Sequence, residues 1–224
     1  METKIIRNKY YQKAMESFNT RLDLFLFNRI IEKQCIDDFS IGDFEDFQIT
    51  DNLIKKYATQ YYQLEYNIEL VKDIKINDIY NKMKEWKKKP ESEDFNSLRT
   101  HYWLNMFPIS FPFEDFHDLF TKKEQKCHYC GITYEMISSL RVKGEIFNKR
   151  DTRGFSMEID RKEPNKEYTS GNSVLSCYWC NNAKTDEFFY DEFKPIIGES
   201  FRLLWNKRLA KHNLELIPDP PSQK

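Results

Sequence analysis

The sequence lacks the features of a membrane protein or an exported protein. No apolar run among its 224 residues approaches the roughly 18 to 20 residues that a membrane helix needs. Residues 1–11 are charged and contain no hydrophobic core of a signal peptide. We also find no internal repeat and no low-complexity tract. We therefore expect a cytoplasmic protein with no membrane association, long enough for one large or two small domains.

A strong excess of positive charge, the usual mark of a nucleic-acid-binding protein, is missing as well. The formal net charge is −1. Residues 1–120 carry 17 Lys and Arg against 21 Asp and Glu, whereas residues 121–224 carry 18 against 15. This mild bias favours the second half as the one that approaches phosphate. Taken alone, it is weak evidence for a nucleic-acid partner.

Helical periodicity dominates the chain up to residue 110. Apolar residues that recur every three or four positions predict helices over 8–36, 51–74, 77–86 and 93–106, with a short one over 113–120. We expect the acidic, Phe-rich segment 37–50 to be irregular, and Pro108 and Pro112 to interrupt the chain. The aromatic residues of this half, including Phe95 and Tyr102, are expected in its core.

The character of the chain changes at residue 127. Short β-type runs predict strands over 155–159 and 173–176. A helix from about residue 180 and a last helix over 203–209 follow. The sequence thus predicts an α+β protein, with a helical region over 1–110 and a small metal-stapled domain over 111–224.

Only five cysteines are present, and four of them form two C-x-x-C pairs. The pairs are Cys127 with Cys130 and Cys177 with Cys180, with 46 residues between them. In a chain without an export signal, this arrangement favours a metal over disulfides. Each pair places two thiolates on one side of a tight turn, and two such turns complete a tetrahedron around Zn²⁺. A redox C-x-x-C and buried free thiols are the alternatives, and two pairs make both less compatible with the sequence.

A zinc site with four protein ligands has no open position, so we expect this metal to hold the fold and to perform no chemistry. Gly131 follows the first pair, where such a turn often needs a positive φ. His128 lies inside the first turn and is expected at the surface rather than as a fifth ligand. Cys35 stands alone in an apolar helical context, and we expect a small buried hydrophobic residue there.

Three further segments carry a recognisable pattern. They are M-E-I-D-R at 157–161, E-Y-T-S-G-N-S-V-L-S-C at 167–177 and C-N-N-A-K at 180–184. Here the chain resembles the zinc-containing HNH nucleases, whose motif reads D-H/R, then Y-x-x-x-N, then C-x-x-C-N-x-x-K. The resemblance covers about residues 113–195, less than half of the chain. It implies a ββα-metal domain that hydrolyses phosphodiester bonds in DNA.

The chemistry of such a reaction explains the residue types. A phosphodiester is anionic and resists attack, so a hard divalent cation must polarise it and stabilise the leaving oxygen. Oxygen ligands suit Mg²⁺, which keeps several waters and takes only one or two protein groups. Asp160, at the end of a predicted strand, offers a carboxylate. Asn181, at the start of a predicted helix, offers an amide oxygen.

The resemblance assigns a role to each motif residue. It implies that Asp160 and Asn181 bind a catalytic Mg²⁺ or Mn²⁺ ion, with Asn182 as the alternative to Asn181. It also implies that Asn172 fixes the hairpin loop and orients the residue after Asp160, and that Lys184 reaches a phosphate. The alternatives for the last two are a turn former at Asn172 and a solvated helix residue at Lys184.

Arg161 is the departure from the family pattern, because HNH nucleases usually carry His there as the general base. A guanidinium cannot give up its proton at ordinary pH. Three explanations stay open. In the first, Arg161 binds the scissile phosphate and Tyr168 or His128 is the base. In the second, the metal activates water and Arg161 stabilises transition-state charge. In the third, the domain has lost catalysis and only binds. All four histidines lie outside the motif, at His101, His117, His128 and His212.

The most specific expectation is therefore an HNH endonuclease acting on DNA, with a place in anti-phage defence, in restriction or on a mobile element. The alternatives are a non-catalytic zinc-binding adaptor for nucleic acid and a zinc-stapled protein-interaction module. Lys143, Lys149, Arg150 and Arg153 precede Asp160 and suit backbone phosphates, although a solvated loop explains them nearly as well. Residues 1–110 suit a protein partner, a homo-oligomer interface or a regulatory cap.

Overall fold

A computed structural model describes residues 17–62, 76–89, 93–121, 124–147 and 153–220. The described chain is α+β, as predicted, with many helices and a two-stranded antiparallel sheet. Its contacts divide it into two compact units, with the boundary between Ser110 and Phe111. No helix in the described ranges is long and apolar enough to cross a membrane.

The first unit is helical. Its elements are α1 Ser17–Ile31, α2 Ile41–Glu45, α3 Asp51–Tyr62, α4 Ile76–Lys88, α5 Glu93–His101, a π-helical turn Tyr102–Met106, and α6 Phe107–Ser110. Helix α1 packs against α3 and α4 and is buried on nearly every side, because Leu22 and the run Leu24 to Phe27 are all apolar. The ring of Phe18 lies 5.6 Å from those of Phe95 and Tyr102. These aromatic residues form the core of the unit, as their helical spacing predicts.

A buried arginine connects α1 to α2. The Arg21 guanidinium donates to the carbonyl oxygens of Phe44, Glu45 and Phe47 at 2.8, 2.9 and 2.8 Å. The last carbonyls of a helix have no partner within the helix, and a cation there also suits the helix dipole. Arg21 thus stabilises the end of α2.

The first unit departs from the sequence prediction at α2. Segment 37–50 is not irregular throughout, because Ser40 and Asp43 form a capping box that starts α2. The Asp43 amide donates to Ser40 Oγ at 3.2 Å, and the Ser40 amide donates to Asp43 Oδ2 at 2.7 Å. This S-x-x-D pattern was the missed signal.

Two further predictions in this unit are wrong. Pro108 lies inside α6 and does not interrupt the helical run. Proline has no N–H to donate within a helix, and the wider π-helical turn that precedes α6 accommodates the missing hydrogen bond. Helix α1 ends at Ile31 and Lys33 has a φ of 57°, so Cys35 lies beyond the helix and is exposed rather than buried. The predicted helices over 8–36 and 51–74 are described only in part, because residues 8–16 and 63–74 fall outside the described residues.

The second unit contains the cysteines. Its elements are α7 Phe113–Thr121, α8 Tyr134–Val142, β1 Glu158–Arg161, β2 Ser173–Ser176, α9 Tyr178–Lys184, α10 Tyr190–Phe193, a π-helical turn Lys194–Gly198, and α11 Glu199–Ala210. Strand β2 has the predicted bounds, whereas β1 begins three residues later than predicted. Helix α8 was not predicted; Thr133 caps it by accepting from the Met136 amide at 3.2 Å.

The sheet and α9 together position the site. Strands β1 and β2 pair antiparallel, with Glu158 opposite Ser176 and Asp160 opposite Val174. Because side chains alternate along a strand, Glu158 and Asp160 share one face of the sheet. Helix α9 packs against β1. The carboxylates of β1 and the polar residues of α9 therefore meet.

Candidate functional site

The four paired cysteines converge, as predicted. Their Sγ atoms all lie within 4.8 Å of one another, and all four residues are buried. Cys130 Sγ and Cys177 Sγ are 3.8 Å apart. A tetrahedral ion with metal–sulfur bonds near 2.3 Å would separate its sulfurs by about 3.8 Å, whereas a disulfide needs about 2.05 Å. The donor set and its spacing fit a structural zinc ion.

Backbone hydrogen bonds build the first turn of this cluster and attach it to the sheet. The Gly131 amide donates to Cys127 O at 2.9 Å, and the His128 amide donates to Leu175 O at 2.8 Å. Gly131 has a φ of 78°, the left-handed conformation predicted for this position. The His128 side chain is exposed, as predicted. The first turn is therefore joined directly to β2.

Close contact between the buried thiols shifts their pKa values in opposite directions, downward for Cys127 and upward for Cys177. Burial and the neighbouring sulfurs of Cys127 and Cys130 raise the pKa of the Cys177 thiol well above its ordinary value. Such a group does not ionise readily in an apolar interior by itself. A divalent ion supplies the positive charge that stabilises the thiolates.

Asp160 lies buried beneath the first turn of the cluster. The Tyr129 hydroxyl donates to Asp160 Oδ2 at 2.6 Å, and the Lys184 ammonium is 3.4 Å from the same oxygen. Burial raises the pKa of the Asp160 carboxyl, against the opposing effect of the Lys184 charge. Burial also raises the pKa of Tyr129, so this phenol stays a proton donor.

Lys184 holds the end of β1. Its side chain has 0% exposure, and its ammonium donates to Arg161 O at 2.7 Å. Burial lowers the pKa of Lys184, while the charge of Asp160 acts in the opposite direction. The described partners of the Lys184 ammonium are groups of the protein itself. Lys184 therefore positions the Asp160–Arg161 segment.

Asn181 also contacts β1, but through Glu158 rather than through Asp160. Its Nδ2 donates to Glu158 Oε2 at 2.6 Å. Asp160 lies on the same face, yet among these described side chains Asp160 and Asn181 share no hydrogen bond. Asn182 has other partners: its Nδ2 donates to Tyr178 O at 2.6 Å, and its Oδ1 accepts from Arg153 Nη1 at 3.3 Å. Of the two adjacent asparagines, Asn181 is the one at the strand.

Glu158 was missed by sequence reasoning. Only 5% of the residue is exposed, and its carboxylate binds the Arg153 guanidinium in a fork, with Nε–Oε1 at 3.0 Å and Nη2–Oε2 at 2.6 Å. The signal was available in the E-I-D run, because alternation along a strand puts residues 158 and 160 on one face. Of the predicted basic residues, Arg153 thus has a partner inside the protein, Lys143 is exposed, and Lys149 and Arg150 lie outside the described residues.

Asn172 organises the loop between the strands. Its Oδ1 accepts from the Glu163 amide at 2.9 Å, and its Nδ2 donates to the carbonyl oxygens of Glu163 and Glu167 at 3.1 and 2.9 Å. Three bonds to the main chain hold this loop in one conformation. The loop in turn supports Arg161, since Arg161 Nη1 donates to Lys166 O at 3.3 Å.

Arg161 is anchored by a carboxylate and an aromatic ring. Its Nη2 donates to Asp186 Oδ1 at 2.7 Å, and the guanidinium lies 5.0 Å from the centre of the Tyr168 ring. Only 6% of the Arg161 side chain is exposed, against 83% for Asp186. Asp186 was not among the predicted residues, because nothing in its local sequence distinguishes it from a solvated helix end.

Comparisons with protein-family models, with curated proteins and with solved structures find no match for this chain. Its function therefore has to be inferred from the site. The site combines four buried thiols in metal-binding geometry with a carboxylate and an asparagine on neighbouring elements.

Proposed function

We propose that the second unit is a metal-dependent HNH endonuclease that hydrolyses phosphodiester bonds in DNA. The observation that carries the proposal is the docking of α9 on β1. Asn181 and Lys184, three residues apart on α9, contact Glu158 and Asp160, which share one face of β1. The order strand, strand, helix is that of the ββα-metal domain whose motif the sequence resembles.

The donor types at positions 160 and 181 are those that a hard divalent cation prefers. Asp160 supplies a carboxylate and Asn181 an amide oxygen, and both are donors that Mg²⁺ and Mn²⁺ accept. Such an ion, when bound, polarises the phosphodiester and stabilises the leaving oxygen. The zinc cluster fixes α9 through Cys180 next to Asn181, and Lys184 fixes the end of β1. The structural site thereby positions the proposed catalytic one.

Arg161 has a role that requires no proton transfer. Its guanidinium cannot act as a base, but it binds oxyanions in a fixed fork. Its anionic partner among the described residues is the exposed carboxylate of Asp186, at 2.7 Å. We propose that a phosphate oxygen takes the place of this carboxylate during the reaction, so that Arg161 stabilises the negative charge of the transition state.

Nicking of supercoiled plasmid in Mg²⁺ or Mn²⁺ tests the proposal. The wild-type protein is expected to nick, and Asp160→Asn or Asn181→Ala is expected to lower the rate roughly a hundredfold or more, since loss of metal stabilisation costs several kcal/mol. Asp191→Asn is the matched control, because Asp191 is exposed on α10. It is expected to nick at the wild-type rate. Zinc content must be equal in all four proteins.

Other outcomes distinguish the remaining functions. Salt-sensitive DNA binding without cleavage in either metal would support the non-catalytic adaptor. Cleavage of RNA alone would change the substrate and keep the reaction. Neither binding nor cleavage would favour the zinc-stapled interaction module. Three further predictions accompany the proposed nuclease. They are a partner or a second copy bound through residues 1–110, a cytoplasmic location, and a role in anti-phage defence or restriction.

A further inference from the structure

Glu158 is a buried carboxylate, and the proposed mechanism has not used it or its contacts to Arg153 and Asn181. The Arg153 guanidinium binds it in a fork, and Asn181 Nδ2 donates to its Oε2 at 2.6 Å. Taking a carboxylate out of water is costly unless its charge is compensated. Arg153 supplies that compensation and donates to both oxygens, so the Glu158 carboxylate faces Asn181 as a hydrogen-bond acceptor.

An ionised carboxylate determines which end of a neighbouring amide faces it. The carboxylate only accepts hydrogen bonds, whereas an asparagine side chain has a donor end, Nδ2, and an acceptor end, Oδ1. Turning the Asn181 amide over would place Oδ1 against the oxygens of Glu158. Glu158 therefore keeps Nδ2 toward its own carboxylate, and the planar amide group then directs Oδ1 away from Glu158.

We propose that Glu158 is a positioning residue that presents Oδ1 of Asn181 to the catalytic divalent ion. This inference rests on the proposed function, in which Asn181 is a ligand. Partners behind the ligands orient them in many metal sites, and their loss typically lowers metal affinity by about 10- to 100-fold. Glu158 fills this place for Asn181, and Arg153 in turn holds Glu158.

Contacts other than the Glu158–Asn181 bond also hold α9 against the sheet. Cys180 belongs to the thiol cluster, and Lys184 donates to Arg161 O at 2.7 Å. These two contacts flank Asn181 and attach the helix on either side of it. The bond to Glu158 thus sets the orientation of one side chain rather than the position of the helix.

The test uses the whole 224-residue chain with zinc bound and measures its affinity for Mn²⁺ by electron paramagnetic resonance. In Glu158→Gln the new side-chain amide can also donate, so the Asn181 amide is no longer held in one orientation. The Mn²⁺ dissociation constant is expected to rise about 10- to 100-fold. The Mn²⁺ concentration for half-maximal nicking is expected to rise by the same factor, with the rate at saturating Mn²⁺ within a few-fold of wild type.

Glu199→Gln is the matched control, since Glu199 also forms a fork with an arginine. Arg202 Nε donates to Glu199 Oε2 at 2.8 Å and Arg202 Nη2 pairs with Glu199 Oε1 at 2.5 Å. The same substitution there breaks an arginine fork outside the proposed site. Its Mn²⁺ affinity and nicking are expected to equal those of wild type.

A double-mutant cycle separates positioning from a general loss of structure. Asn181→Asp replaces the amide with a carboxylate, which offers an oxygen at both ends and needs no orienting partner. In that background Glu158→Gln is expected to leave Mn²⁺ affinity unchanged or to raise it, because repulsion between two carboxylates is removed. Equal weakening in both backgrounds would overturn the inference.

Two results would overturn the inference in distinguishable ways. In the first, the wild-type protein binds Mn²⁺ and nicks DNA, and Glu158→Gln has the same Mn²⁺ affinity. That result would overturn the positioning role of Glu158 and leave the proposed function in place. A wild-type protein that binds no Mn²⁺ would overturn both. Loss of zinc or of the folded state in Glu158→Gln would assign Glu158 to the fold and also overturn the inference.

Discussion

Lys184 and Asp160 form a buried pair of opposite charges. Lys184 has 0% exposure and Asp160 has 7%, and the ammonium is 3.4 Å from Oδ2. A pair of this kind adds little net stability, because both charges lose their hydration on burial. Removing one partner is a different matter, since the remaining charge is then buried without compensation.

We expect Lys184→Met to lower the free energy of unfolding of the second unit by about 3 to 5 kcal/mol, measured by urea denaturation with zinc bound. Lys207→Met on the exposed side of α11 is the matched control, with an expected change of less than about 0.5 kcal/mol. Adding Asp160→Asn to Lys184→Met should recover part of the loss. A loss below about 1 kcal/mol in Lys184→Met would contradict the expected cost of leaving the buried Asp160 charge without a partner.

At the scale of elements, the π-helical turn Lys194–Gly198 and the first cysteine turn lie in close contact. A Cβ placed on Gly198 would lie 2.8 Å from Tyr129 O and 3.1 Å from Tyr129 C. The Tyr129 ring also packs edge-on against Phe193, with 5.3 Å between the ring centres. Only a glycine at position 198 lets the two backbones approach this closely.

Gly198→Ala is therefore expected to destabilise the second unit by roughly 1 to 3 kcal/mol, because one backbone segment must move away from the other. Gly171→Ala is the control, since a Cβ there meets no atom within 4 Å. Thermal unfolding of the zinc-bound proteins measures the difference. Equal melting temperatures for the two variants would show that the contact at Tyr129 adapts without cost.

At the scale of the whole molecule, the two units are stabilised by different means. The first, Met15–Ser110, has an aromatic core around α1. The second contains the thiol cluster, whose metal would join the first cysteine turn to the start of α9. Metal binding contributes folding energy directly when the site is absent from the unfolded chain.

Calorimetry of the whole chain is expected to show this division. Chelation of zinc, or Cys130→Ser, should lower the transition of the second unit by more than about 10 °C and leave that of the first unit in place. Cys35→Ser is the matched control, since Cys35 is exposed and lies outside the cluster. It should keep one zinc ion per chain and both transitions. A shift of both transitions on chelation would show that the units unfold together.

The sequence by itself determined the features that depend on spacing along the chain. The two C-x-x-C pairs predicted the thiol cluster, and Gly131 predicted a left-handed residue after the first turn. The bounds of β2 followed from a short β-type run between turn residues. Each of these is decided within a few residues, because a turn or a strand depends on its own backbone and on the alternation of its side chains.

Tertiary structure alone decided partners and burial. The bond from Asn181 to Glu158 spans 23 residues, and the pair Arg161–Asp186 spans 25. Local spacing assigned Lys184 to phosphate or solvent, yet docking of α9 on β1 buries it. A side chain's partners are set by which elements pack together, and that packing follows from the core of the whole unit rather than from the residues beside it in sequence.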